Sequence, residues 1–219
     1  MHKNAESFAK YCDENYDLGG IQPIPSYQSL SICIIDCIFS LRAKYYQHTL
    51  PVIHRYADKY LNGDIYSASD TITSFIKHMD EYGATEFAKT VLQNNQRSGG
   101  VLKTEVCYKI AKYLSYIKIE TMSDFQNFED TEFIEKILYS VKGLGNAGVD
   151  YLFMMAGDTD RCKVDVHINH CIWDFCHANM PPNEIQELFR DAVSMLKEKY
   201  PDLTVGMLDR TIWNEYQKS

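Results

Sequence analysis

Residues 133–172 read FIEKILYSVKGLGNAGVDYLFMMAGDTDRCKVDVHINHCI, and this stretch decides the fold. Its pattern predicts one helix, a tight turn at Gly143-Leu144-Gly145, and a second helix from about Asn146 to Ala156. A charged loop follows and ends in Lys163-Val164-Asp165-Val166-His167. Glycines on both sides of one apolar residue let the backbone present successive N–H groups at a helix N-terminus, where the helix dipole favours an anion such as a phosphate. Leu144 would pin the turn to the core. Taken alone, a Gly-x-Gly turn between helices is also what a helical hairpin with a glycine cap looks like.

Outward from this segment the apolar residues keep helical spacing. Leu30, Ile34, Ile38 and Leu41, then Tyr45, Val52, Tyr56 and Tyr60, recur at three and four, with Pro51 expected at the joint of two helices and Asn62-Gly63 as a stop. Further helices are expected over 69–82, 85–94, 104–117, 123–128, 132–141 and 183–200, the last opened by Pro181-Pro182 and ended by Pro201. Alternating strand patterns and internal repeats do not occur, so the class is all-α. Residues 1–25, with Gly19-Gly20, Pro23 and Pro25, carry no sustained period and read as an N-terminal arm ahead of a domain over 26–219.

The chain of 219 residues is 45% hydrophobic and 24% charged, the balance of a folded protein with a core of its own. The polar N-terminus predicts no signal peptide. The most apolar stretch, 32–39, is interrupted by Asp36 and is too short to span a bilayer. Seven cysteines, an odd number, then favour reduced thiols and a cytoplasmic location, nucleoid-associated in a prokaryote.

The net charge of −8 argues against phosphate binding, but it averages over local patches. Between Arg97 and Lys118 stand five basic residues against Glu105, and between Arg42 and Lys59 four against Asp58. The acids gather elsewhere, six of them over 120–135. Solvated helix faces of mixed sign would give the same counts.

The whole string resembles the helix-hairpin-helix DNA glycosylase superfamily, which includes endonuclease III and the adenine and alkylbase glycosylases. Val141-Lys142-Gly143-Leu144-Gly145 is similar to that family's hairpin, and Val164-Asp165-Val166-His167 to its Val-Asp-Thr-His, whose Asp is catalytic. Arg97 to Lys103 resembles a Gly-aromatic-Lys stretch that leads into a helix. Ile38 to Ala43 resembles the Leu-Ser-x-Gln element, and Leu208 to Trp213 a C-terminal helix that packs near the first one. The resemblance spans roughly 26–216. It implies an all-α, two-lobed helix-hairpin-helix DNA glycosylase fold with the site between the lobes.

For function, the resemblance implies a DNA N-glycosylase of base-excision repair that hydrolyses the N-glycosidic bond of a damaged or mispaired base in duplex DNA. It would act as a monomer and without a cofactor. Asp165 would stabilise the oxocarbenium-like sugar and help activate water, and it also suits the N-cap of a helix from Val166. Gly143, Leu144, Gly145 and the N–H of Ala147 would hold a phosphate, with Lys142 adding charge. Arg42 falls where the family fills the gap left by the flipped base. Lys142 and Arg42 read equally well as surface cations.

The departures from the family narrow the chemistry. Family members with lyase activity carry a Lys where this chain has Ala147, so no amine is placed to form a Schiff base. Lys142 stands for the usual Pro, Val149 for a small Ala, and the four-Cys iron–sulfur pattern is missing. A monofunctional glycosylase satisfies these losses, and so does a catalytically inactive DNA-binding homologue. His167, His170 and Cys171, with Cys176 and His177, form a local cluster that lacks a second ligand pair at metal-site spacing, so a metal is not expected.

Overall fold

A computed structural model of the chain describes residues 1–21 and 26–217; Pro23 and Pro25 lie outside the described residues. Ser29, Thr71, Thr121, Asp130, Asp165 and Thr204 each accept a backbone N–H from two or three residues ahead, and each starts a helix. The helices are α1 (Ala5–Asn15), α2 (Leu30–Ser40), α3 (Leu50–Tyr60), α4 (Ile72–Asp80), α5 (Ala84–Thr90) and α6 (Lys103–Tyr116). They continue as α7 (Met122–Gln126), α8 (Thr131–Tyr139), α9 (Asn146–Met155), α10 (Val166–Cys176), α11 (Pro182–Leu196) and α12 (Val205–Tyr216). A π-helical turn, Tyr45–Thr49, runs directly into α3. The described residues are thus overwhelmingly helical, as the periodicity predicts.

The chain divides into two units, Pro25–Gly157 and Met1–Ile24 with Asp158–Ser219. In the first unit α2 is the core. Leu30 to Phe39 are all buried, because the sequence is apolar around the whole helix rather than along one stripe. Helices α3, α4, α6 and α9 pack on it. Each fully buried Ile, Leu or Phe there contributes about 1.5–3 kcal/mol of transfer free energy. In the second unit α1 packs on α11, and both α10 and α11 pack on α12. The Phe8 ring lies 5.0 Å from Phe175 and 5.1 Å from Phe189.

Three details depart from the sequence pattern. Residues 5–15, expected in an irregular arm, form α1; the buried stripe is Ala5, Phe8, Ala9 and Cys12, mostly small residues that make a faint apolar signal. The break expected at Pro51 falls earlier, between Ser40 and Tyr45, and Pro51 sits in the first turn of α3, where its missing N–H goes unneeded. Residues 97–102 form a minimal antiparallel hairpin, β1 (Arg97–Ser98) and β2 (Val101–Leu102), too short to leave an alternating pattern. Among the described residues, no helix is long and apolar enough to cross a membrane.

Candidate nucleic-acid interface and carboxylate

The turn between α8 and α9 is built on two glycines. Gly143 has φ +102° and Gly145 φ +68°, left-handed backbone that an L side chain resists. Gly145 is the N-cap of α9 and, as a glycine, makes no side-chain cap hydrogen bond to that helix. Lys142, Gly145 and Asn146 are exposed, whereas the Leu144 side chain is buried against Gly148 and its N–H donates to the Val141 carbonyl at 3.1 Å. Leu144 therefore holds the turn from inside. The outer surface that remains is a helix N-terminus with a lysine beside it, a geometry that receives an anion.

The β1–β2 hairpin braces this turn. Ser98 Oγ donates to the Gly143 carbonyl at 2.6 Å, and a Cβ on Gly99 would stand 3.3 Å from the Gly143 Cα. On its other side the same segment reaches the end of α2. Lys103, counted in the sequence among the basic residues of a phosphate-binding patch, is buried at 2% exposure. Its Nζ donates to the carbonyls of Phe39 (2.9 Å) and Leu41 (2.8 Å) and to Gln96 Oε1 (2.9 Å). Arg97, Lys109, Lys112 and Lys118 do face solvent.

Arg42 follows immediately. It is exposed, and its backbone is left-handed with φ +52°. A non-glycine residue held there stores about 1–3 kcal/mol of strain, which the anchored neighbours Leu41 and Phe39 sustain. Arg42 and the α8–α9 turn thus share one brace, the segment from Gln96 to Lys103.

In the other unit Asp165 is the N-cap of α10. Its Oδ1 accepts from His167 N at 2.9 Å and Ile168 N at 3.4 Å, and Lys163 Nζ stands 3.9 Å from Oδ2. The side chain keeps 20% of its surface exposed. Two residues that carry no functional signal in the sequence fix the loop before it. Gln186 of α11 clamps residue 162 from both sides, accepting from Cys162 N (3.1 Å) and donating to its carbonyl (2.7 Å). Asp209 of α12, 7% exposed, accepts from Lys163 N at 2.6 Å. A carboxylate anchored through one oxygen, on a clamped loop and still in contact with solvent, can stabilise a nearby cation and orient a water.

Ala147 lies in the first turn of α9, a methyl where lyases of the resembled family carry an amine. The histidine and cysteine cluster does not converge. Cys171 is buried and accepts from Tyr16 OH at 3.4 Å, and the His167 ring lies 6.4 Å from Trp213. Among the described residues, no group of three His, Cys, Asp or Glu side chains is placed to hold a metal ion.

Comparison with known proteins bears on this geometry. The family described as "Domain of unknown function (DUF8548)" matches residues 6–218. The chain belongs to that family. No curated protein matches the chain. A solved structure described as "Structure of MBOgg1 in complex with low affinity DNA ligand" superposes on it with a TM-score of 0.64 and 19% identity, over 98% of this chain and 69% of that one. At that identity the likeness speaks for the fold, and the fold of this DUF8548 member is all-α and DNA glycosylase-like.

Proposed function

We propose that this protein is a monofunctional DNA glycosylase that hydrolyses the N-glycosidic bond of a damaged or mispaired base in duplex DNA. The observation that carries the reading is Asp165, fastened through one oxygen at the N-cap of α10 yet one-fifth exposed, on a chain whose fold matches a protein solved with a DNA ligand. The α8–α9 turn supports the DNA part. Its uncapped helix N-terminus and Lys142 would hold a backbone phosphate, a contact that positions without reading sequence. Arg42, held outward in a strained conformation, would enter the gap left by the extruded base.

In the reaction the glycosidic C–N bond lengthens and its electron pair leaves with the base, so positive charge builds on the sugar. The Asp165 carboxylate stabilises that charge. Water then adds to C1′, one of its protons is released to Asp165 or solvent, the departing base takes up a proton from solvent, and an abasic sugar with an intact strand remains. The test is to incubate the protein with genomic DNA that carries mixed lesions and to identify released bases by mass spectrometry. Base release that disappears in Asp165→Asn supports the reading. Tight duplex binding without any release replaces it with a non-catalytic DNA-binding protein.

A further inference from the structure

Helix α6 buries Val106, Cys107, Ile110, Ala111 and Leu114 against its neighbours, and these positions form its inward stripe. The opposite face carries Lys109, Lys112, Tyr113 and Tyr116, all exposed. Tyr116 is 85% exposed and Tyr113 42%, so neither ring contributes its apolar area to the core. The four residues repeat one pair: Lys109 stands four before Tyr113, and Lys112 four before Tyr116, the spacing at which helical side chains are neighbours. Two lysine and tyrosine pairs therefore lie side by side on one surface.

The surface has one sign of charge. Between Val106 and Ile119 the sequence holds three lysines and no Asp or Glu, in a chain whose net charge is −8. Asp80, at the end of α4, accepts from Tyr108 OH at 2.6 Å, and the Lys112 ammonium lies 5.8 Å from the Tyr108 ring. Lys118, past the end of the helix, lines a cleft with Asp124, Glu129 and Asp130 and does not belong to the stripe. Among the described residues, no carboxylate pairs with Lys109 or Lys112, and no side chain hydrogen-bonds to Tyr113 or Tyr116. Both ammonium groups and both rings thus face solvent ready for a ligand.

A ligand that matches this pattern repeats an anion and a flat ring. Tyr113 and Tyr116 lie about 4.5 Å apart along the helix axis, a distance that successive nucleotides of a slightly extended strand span. The base faces must be free to stack on the rings, which a duplex forbids and a single strand allows. An acidic peptide would pair the lysines but leave the rings without a planar partner. The stripe carries no carboxylate or amide to accept a ribose 2′-hydroxyl, so nothing on it selects RNA.

We propose that the outer face of α6 binds single-stranded DNA, with phosphates on Lys109 and Lys112 and bases stacked on Tyr113 and Tyr116. This surface is separate in function from the α8–α9 turn and from Asp165, and it stands whether or not the protein releases bases. The C-terminal end of α6 repels phosphate, which suits a ring at Tyr116 and the lysines further back.

The experiment titrates a fluorescein-labelled thymidine dodecamer with the full chain at low salt and follows anisotropy. Saturable binding is expected, falling with salt at a slope of about −1.4 for two neutralised phosphates. Tyr113→Ala and Tyr116→Ala should each weaken it fivefold or more, as should Lys109→Ala with Lys112→Ala together, without moving the unfolding midpoint. Lys136→Ala removes the same kind of charge from exposed α8 and should leave the affinity unchanged. A dodecamer of abasic sugars, which keeps the phosphates and lacks the bases, should bind at least fivefold more weakly. No binding of the dodecamer, unchanged affinity in both tyrosine variants, equal binding of the abasic strand, or an effect of Lys136→Ala as large as that of the α6 variants overturns the proposal. Displacement by polyglutamate as effective as by unlabelled dodecamer would make the partner an acidic peptide, and tenfold tighter binding of a uridine dodecamer would make it RNA; either result overturns it as well.

Discussion

The hydroxyl of Ser98 donates a 2.6 Å hydrogen bond to the carbonyl oxygen of Gly143, fastening the β1–β2 hairpin to the turn between α8 and α9. The approach is close enough that a methyl group on Gly143 would lie 2.8 Å from the Ser98 carbonyl oxygen and 2.9 Å from Val106 Cγ2. Both are fixed atoms of the brace and its helix. At Gly145, two residues on, a Cβ would meet nothing within 4 Å.

The two glycines should therefore respond differently to alanine. Gly145→Ala carries a backbone penalty alone, about 1–3 kcal/mol, since φ +68° with ψ +167° is a conformation essentially reserved for glycine. Gly143→Ala adds the steric clash to its own backbone penalty and should destabilise by about 1–3 kcal/mol more than Gly145→Ala, with the turn displaced. Urea unfolding of both variants measures the gap, and equal losses would show that the Ser98 contact does not constrain the turn.

Lys103 should be the most sensitive lysine in the chain. Lys103→Met keeps the volume but leaves the Phe39 and Leu41 carbonyls and Gln96 Oε1 without their shared donor. Leaving such buried acceptors unpaired costs about 3 kcal/mol in sum. The control is Lys112→Met, an exposed lysine in the same helix, whose midpoint should move little. A midpoint shift in Lys103→Met no larger than that of the control counts against the brace.

What was legible in the sequence was local. The Gly143 to Gly145 turn, the helices around it and the N-cap role of Asp165 depend on residues within one or two turns, so spacing alone reports them. Lys103 depends on acceptors 62 and 64 residues away, and a lysine in a basic run looks like a solvent charge until those carbonyls are in place. Asp36 was visible only as an interruption of an apolar stretch, because the phenols that surround it come from 9 residues before it, 9 after and 115 after. Gln186 and Asp209 carry no signal of their own type. Their roles arise from where α11 and α12 bring them.

On the proposed reading duplex affinity should fall steeply with salt despite the net charge of −8, since local patches and the α9 N-terminus would make the contact. A slope near −0.9 per neutralised phosphate, with roughly three to six phosphates engaged, is expected. Lys142→Ala should reduce the slope by about one contact. Fluorescence anisotropy across a salt series reads it, and a flat response removes the duplex as ligand.

Asp165→Asn and Asp165→Ala separate cap from catalysis. Asn retains an oxygen for the N–H groups of His167 and Ile168, so the melting temperature should stay within a few degrees, while Ala loses the cap and about 1 kcal/mol. Both remove the negative charge. Base release should drop by orders of magnitude in both, with duplex binding kept in the Asn variant. A variant that is fully folded and fully active would make the carboxylate structural.

The absence of an amine at Ala147 governs the last expected outcome. A lyase reaction needs a lysine to attack C1′ and hold the sugar as a Schiff base, and the first turn of α9 presents a methyl group instead. The amines nearest in sequence are already placed. Lys142 lies on the exposed side of the turn, and Lys163 stands 3.9 Å from the Asp165 carboxylate on the clamped loop before α10. The product should be an unbroken strand with an abasic site that cleaves only on treatment with alkali or heat, and borohydride present during turnover should give no protein–DNA adduct. Lys163 makes the test sharper, because its amine is the one next to the proposed catalytic carboxylate. If borohydride does trap an adduct and Lys163→Met abolishes it, the lyase amine has moved from α9 to this loop, and the protein is bifunctional.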